Sequence, residues 1–319
     1  MLFAAAIDPL AAIAPVFVII FAGFLIRRLG ALSVEADASM MRVSVNLLYP
    51  CLIIGSIVGN KALHQSVNVW LPPLAGFATV ITGYAACWLG ARLLRIQRGR
   101  ETRTFTYVTG VYNYGYTAIP VVGSLFGIKA LGVLFTFNLG VEVAFWLGAS
   151  LILASHPDRS DWRKVINAPV IAIIASVALN SVYAEAFIPE WIFKSIQILG
   201  ASAIPMALLL TGAIMSDFLG EARPSRSDAV VIAGASLLRL GLLPIIFLAL
   251  ARWLPCSTEL KQVLVVQSAM PAAMFPVVLC KHYGGDAGLA VQIVVTTTAL
   301  ALFTMPLWIP FGLKIVGVD

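Results

Sequence analysis

The stretch Gly110-Val111-Tyr112-Asn113-Tyr114-Gly115-Tyr116-Thr117-Ala118-Ile119-Pro120 lies inside an apolar run from 103 to 127, and its reading decides the fold. Two glycines, an amide and a proline lower helix propensity and remove a backbone hydrogen bond where a bilayer offers no water in its place. A helix built here is expected to break. A second stretch, Gln267-Ser268-Ala269-Met270-Pro271-Ala272-Ala273-Met274-Phe275-Pro276, carries two prolines five residues apart and is expected to break at the same depth.

Other prolines tie the two stretches together as parts of a repeat. Ala14-Pro15-Val16 with Ile19-Ile20 recurs as Ala168-Pro169-Val170 with Ile173-Ile174, an offset of 154. Pro50 answers to Pro205 at offset 155, and Pro120-Val121-Val122 to Pro276-Val277-Val278 at offset 156. The near-constant offset divides the chain into halves, 1 to 156 and 157 to 319.

The rest of the composition sets the environment. Of 319 residues 60 % are apolar and 36 carry formal charge, 21 Lys and Arg against 15 Asp and Glu. Mean hydropathy is +0.95. Such a chain is a polytopic membrane protein with no length left for a soluble domain, each crossing needing about 20 apolar residues. Ten windows fit: 9 to 29, 38 to 59, 67 to 94, 103 to 127, 129 to 154, 163 to 183, 190 to 218, 227 to 252, 259 to 283 and 285 to 313. Helices are the expected solution, because a barrel would need short alternating strands. The first window runs past Pro9 into Arg27 and Arg28 with no cleavage site, so it is expected to stay in the mature chain.

Five spans per half, an odd number, require the second half to enter the membrane in the opposite sense. Such inverted repeats place a substrate site near the midplane, and paired interruptions in the two halves point to it. Each break leaves a second half-helix starting near Pro120 or Pro276, and a helix start carries about half a positive charge with free N–H donors. Two such starts facing one another suit a small anion, with Asn113 adding an amide donor.

Basic residues are retained on the cytoplasmic side. With the N-terminus outside, that side holds fourteen: Arg27, Arg28, Arg42, Arg92, Arg95, Arg98, Arg100, Arg103, Arg159, Arg163, Lys164, Arg223, Arg226 and Lys281. The other side holds six: Lys61, Lys129, Lys194, Arg252, Lys261 and Lys314. Both termini are therefore expected outside the cytoplasm. Trp70, Trp88, Trp162, Trp191, Trp253 and Trp308 sit near span ends as belt residues. Basic residues spread over loops in this way exclude nucleic-acid binding as the reading of the net +6 charge.

The chain resembles the auxin efflux carrier family, including its bacterial members akin to malate and malonate permeases. The resemblance rests on Pro15-Val16-Phe17 through Gly23-Phe24-Leu25-Ile26-Arg27-Arg28, on Val45-Asn46-Leu47-Leu48-Tyr49-Pro50 and on Asn113-Tyr114-Gly115-Tyr116 through Pro120. Ala269-Met270-Pro271-Ala272-Ala273, Tyr283-Gly284-Gly285-Asp286 and Met305-Pro306-Leu307-Trp308 complete it. It implies ten helices in two inverted five-helix repeats, with spans 4 and 9 crossing at their breaks. It also implies an elevator-like motion of spans 3, 4, 5, 8, 9 and 10 against a scaffold of spans 1, 2, 6 and 7. Asn113 matches the asparagine that the family sets against the substrate carboxylate. Where some members carry a second asparagine, this chain has Ala269, Met270 and Ala273, so an auxin-like ligand does not follow. The gap between spans 5 and 6 is about eight residues, without the long loop of some plant members.

The expected substrate site comprises Asn113, Tyr114, Gly115, Tyr116, Pro120, Ala269, Met270, Pro271 and Pro276, with Asn46 and Tyr49 facing it from the scaffold. Glu142 and Arg239 fall mid-span, where a charge is costly and is paired or functional. The expectations for them are a structural ion pair, a proton-coupling pair, or Arg239 as a direct carboxylate ligand. Asn138, Gln197 and Gln292 are read as interhelical hydrogen bonds. Cys51, Cys87, Cys256 and Cys280 have no metal-ligand spacing and read as packing residues, and no cofactor, metal or nucleophile signature occurs. The expected function is secondary transport of a small carboxylate across the cytoplasmic membrane, in a homodimer built through the scaffold. The alternatives are a sodium-coupled symporter of the bile-acid type, a channel, or a membrane sensor that binds without transporting.

Overall fold

The computed structural model describes residues 2–96, 99–153, 166–183, 187–221 and 226–318. Along the first half run α1 (Leu2–Arg28), α2 (Val34–Val43), α3 (Tyr49–Ile57), α4 (Val67–Leu93), α5 (Arg100–Gly110) and α6 (Ala118–Gly148). The second half holds α7 (Ala168–Ser181), α8 (Glu190–Glu221), α9 (Arg226–Leu237), α10 (Leu243–Trp253), α11 (Thr258–Ala269), α12 (Phe275–Tyr283) and α13 (Ala287–Val316). Wider π turns at Ser44–Leu48 and Leu238–Leu242 weld α2 to α3 and α9 to α10, and a third, Ala149–Leu153, extends α6. Among the described residues there is no strand, only one isolated bridge.

Six of the described rods are long and apolar enough to cross a bilayer: Val34–Ile57, Val67–Leu93, Ala118–Leu153, Glu190–Asp217, Ala229–Trp253 and Ala287–Val316. The chain is thus a multi-pass membrane protein. Arg98, Arg159, Trp162, Arg163, Lys164 and Arg223, together with the expected boundary between the halves at 156 and 157, lie outside the described residues.

Local chemistry explains where the rods start and stop. Side chains of Asn167, Ser257 and Asp286 accept the N–H of Val170, Leu260 and Leu289, capping α7, α11 and α13. Gly127, at φ 72°, kinks α6 where sequence reading separated spans 4 and 5. That conformation is open to glycine and strained for other residues. Pro244 has no N–H for the carbonyl of Leu240, and the Trp308 indole donates to that oxygen instead, at 2.7 Å.

Glycines let the rods touch backbone to backbone, the usual device where lipid offers no hydrophobic drive. A Cβ on Gly23 or Gly212 would run into the carbonyl of Leu209 or Ile20, so α1 and α8 lie in direct contact. Gly76 and Gly140 do the same for α4 and α6. The helices fall into two packed groups: α1, α3, α7 and α8 in one, and α4, α5, α6, α10, α11 and α13 in the other, touching through α3 on α6 and α1 on α13.

One end of the bundle is tied by Arg27, which bonds the carboxylate of Asp37, lies 3.3 Å from that of Asp217 and donates to the carbonyl of Leu32 at 2.8 Å. The opposite end is tied by Asn60, whose amide donates to the carbonyls of Ser56 and Ile128 at 2.9 and 3.0 Å. There the Gly59 N–H also donates to Asn180, at 2.9 Å.

Candidate functional site

Between α5 and α6 the chain leaves the helix at 111–117, and between α11 and α12 at 270–274. The two breaks cross and pair. Asn113 N–H donates to the Pro271 carbonyl at 2.8 Å and Ala273 N–H to the Val111 carbonyl at 3.0 Å, an antiparallel bridge centred on Tyr112 and Ala272. Four backbone groups that lipid could not satisfy are thereby satisfied by one another. The side chains of Asn138 and Gln267 donate to the Tyr114 carbonyl at 3.2 and 3.4 Å, and the Asn113 side-chain oxygen accepts the Thr117 N–H at 3.3 Å.

A cavity of about 330 Å³ opens beside this crossing, at the low end of the ~300–1,000 Å³ typical of small-molecule sites. Its floor is the crossing itself: Asn113, Tyr114, Gly115 and Tyr116, with Ile119 and then Ala273, Met274 and Phe275 from the first turns of the two half-helices. One wall is α6, through Phe135, Asn138, Glu142, Phe145 and Trp146. The facing wall belongs to the other packed group: Met41, Val45, Tyr49 and Ile53 along α2 and α3, and Asn167, Pro169, Val170 and Ile173 at the start of α7. The cavity therefore lies at the seam between the two groups.

Glu142 is the one charged residue among these lining positions. Its two oxygens accept from the Tyr114 hydroxyl at 2.9 Å and the Trp146 indole at 3.2 Å. Seven aromatic rings line the cavity with it: Tyr49, Tyr114, Tyr116, Phe135, Phe145, Trp146 and Phe275. Among the described residues, the Asn113 amide nitrogen has no protein acceptor, and the buried Asn138 side-chain oxygen has no donor.

The expected Glu142–Arg239 ion pair is not formed. The chain turns at Asn113, where the Tyr114 N–H bonds the Tyr112 carbonyl at 2.8 Å, and the two tyrosines, their rings 6.5 Å apart, send their hydroxyls to different partners. Tyr114 enters the cavity toward Glu142. Tyr112 points back into the core, bonds Thr79 at 2.7 Å and lies beneath the Arg239 guanidinium, 5.2 Å from ring to carbon. Arg239 is 0 % exposed in the π turn before α10, with Phe247 as its second ring at 5.3 Å. None of its three nitrogens has a hydrogen-bond partner among the described residues.

Five other expected site residues, Pro120, Ala269, Met270, Pro271 and Pro276, are buried but do not line the cavity. They pack away from the cavity, and the three prolines among them help to interrupt the helices. Asn46 faces away, exposed and bonded to the Arg42 carbonyl at 2.9 Å. The face it would need is taken by Met41, Val45, Tyr49 and Ile53 at helical spacing. Sequence reading missed Asn138 as a lining residue, passed over Trp146 and Asn167, and placed Met274 and Phe275 in the second break without assigning them to the site. Spacing could have shown part of this, since Asn138, Glu142 and Trp146 recur every four residues on one helical face.

The membrane transport protein family model matches residues 9–160 and 158–309. An uncharacterized transporter of Methanothermobacter thermautotrophicus is 27 % identical over 298 residues, 92 % of this chain and 95 % of that protein. Another, of Methanocaldococcus jannaschii, is 23 % identical over 314 residues, 94 % and 97 % of the two chains. Two broken helices that cross, in a chain matched over nearly its full length, lead to one conclusion: it belongs to the membrane transport protein family, that of the auxin-efflux-carrier-like proteins.

Proposed function

We propose that the chain is a secondary carrier of a small organic anion, a carboxylate with an apolar or aromatic body, bound at the crossing of the two breaks. The observation that carries this reading is the position of the cavity, over the crossing and walled by both packed groups. An elevator-like carrier needs its substrate at such a seam, so that α4 to α6 and α9 to α13 can slide with it past α1 to α3, α7 and α8. The free amide of Asn113 supplies a donor for a carboxylate, and the positive ends of α6 and α12 supply a favourable field. The ring-lined wall suits an apolar body.

The reading extends to two five-helix halves of inverted topology. It is supported by the spacing of the prolines and by the two segments of the family match, which meet at 158–160. Charge asymmetry supports both termini on the non-cytoplasmic side of the cell membrane, and the exposed apolar faces of the scaffold support a homodimer. In that orientation the first turns of α7, which wall the cavity, lie toward the cytoplasm, and the cavity is proposed to open on that side.

A second reading is favoured by one observation: a carboxylate ringed by aromatic faces also suits an organic ammonium ion. Counterflow of labelled benzoate, phenylacetate, succinate and malonate into proteoliposomes tests both. Uptake of a carboxylate that is lost in Asn113→Ala supports the anion carrier. Uptake of phenethylammonium with no carboxylate uptake supports the cation. Binding without counterflow of either identifies a sensor.

A further inference from the structure

An anion carrier whose cavity wall holds a carboxylate and no Lys, Arg or His among the described residues faces a charge conflict. The amide proposed to hold the substrate, on Asn113, and the positive ends of α6 and α12 face the same 330 Å³ as Glu142. Two carboxylates in one largely apolar cavity cannot both stay ionised; one of them takes a proton. The substrate's carboxylate meets the Asn113 amide and the positive helix ends, whereas Glu142 meets the Tyr114 hydroxyl and the Trp146 indole.

We infer that Glu142 is the carrier's proton-coupling group: it is a carboxylate when the cavity is empty and takes up a proton when a substrate carboxylate binds at Asn113. This deepens the anion-carrier reading and rests on it. The proton comes from the solution to which the cavity is open, binds a Glu142 oxygen and leaves with the substrate on the other side. The loaded and empty forms of the moving group then carry the same charge, so a monocarboxylate crosses without net charge movement.

The contact chain is short. Asn113 and Tyr114 are neighbours, and the Tyr114 hydroxyl holds the carboxylate that must respond. The other titratable groups around Glu142 are Tyr114 and Tyr116 from the break, Tyr107 from α5 and Tyr49 from α3. None of these tyrosines carries charge at neutral pH, so Glu142 is the group that exchanges the proton. Arg239, behind Tyr112, stays charged throughout and does not take part in the exchange.

The test counts protons on purified wild-type protein in weakly buffered detergent solution. The probes are benzoate, phenylacetate, succinate and malonate, titrated at several pH values from mildly acidic to mildly alkaline. Binding is expected to take up about one proton per anion over part of that range. Glu142→Gln is expected to bind the same anion with no proton uptake and with an affinity independent of pH. Anion binding by wild-type protein with no proton uptake at any pH overturns the coupling role and leaves the anion carrier standing. Failure of every carboxylate to bind, with phenethylammonium binding instead, overturns both. The proton count is read on the wild type, so the inference stays open to refutation even if Glu142→Gln does not fold.

Discussion

At a pH acidic enough that Glu142 already holds its proton, so that binding adds a net charge to the cavity, replacing Arg239 by methionine should weaken carboxylate binding by about tenfold and leave the fold as stable as before or firmer. The guanidinium carbon is 5.2 Å from the Tyr112 ring centre, and that ring is 6.5 Å from the Tyr114 ring on the cavity floor. The cation thus stands at most about 12 Å from the cavity, where one unit charge acts on another with roughly 1.4 kcal/mol at an effective dielectric of ~20, a factor of about ten in affinity. Stability should move the other way. A guanidinium with no hydrogen-bond partner among the described residues forgoes ~1–3 kcal/mol for each unsatisfied donor, whereas its two rings return ~2 kcal/mol apiece at most. Methionine keeps much of the volume and none of the charge, so the unsatisfied donors disappear with the guanidinium. Calorimetric titration with benzoate and a thermal melt would measure the two effects on one preparation, with Arg239→Lys as the control that retains charge. Unchanged affinity in Arg239→Met would refute the electrostatic reasoning, and a large loss of thermal stability would refute the claim that the guanidinium is unpaired.

Three further outcomes follow from particular contacts. Asn113→Ala should weaken carboxylate binding by roughly 10- to 100-fold, the worth of one hydrogen bond to a charged group. It should cost only about 1 kcal/mol of stability, through the lost cap on Thr117, both readable by ligand-dependent thermal shift. Gly212→Val should abolish folded protein in size-exclusion chromatography, because its side chain would meet the backbone of α1; Gly115→Ala, with nothing within 4 Å of its Cβ, should elute like wild type. Arg27→Gln should lower thermal stability by about 1–3 kcal/mol, discounted from a fully buried pair because the side chains of Asp37 and Asp217 are 18 % and 33 % exposed.

Both breaks are legible in the sequence, because proline and glycine act on their own backbone and need no neighbours to do so. The same holds for the membrane setting, which follows from the run lengths of apolar residues, and for Asn113, Tyr114, Gly115 and Tyr116 as cavity-lining residues, since they occupy the break itself. Asn46 and Tyr49 are not separable in this way. Three residues apart on one rod, they differ in which side of it they occupy, and the partner helices settle that.

What the chain determines alone is depth along the membrane normal and the points where helices fail, as both are local consequences of side-chain solubility and backbone hydrogen bonding. Only the tertiary structure decided the directions side chains take around each rod. It turned Glu142 toward Tyr114 and put Arg239 behind Tyr112, and it brought α2, α3 and α7 across from α6 to wall the cavity. Two charges expected at similar depth can face each other or stand apart, and packing chose the second, with Glu142 held by Tyr114 and Trp146 and Arg239 set against Tyr112 and Phe247.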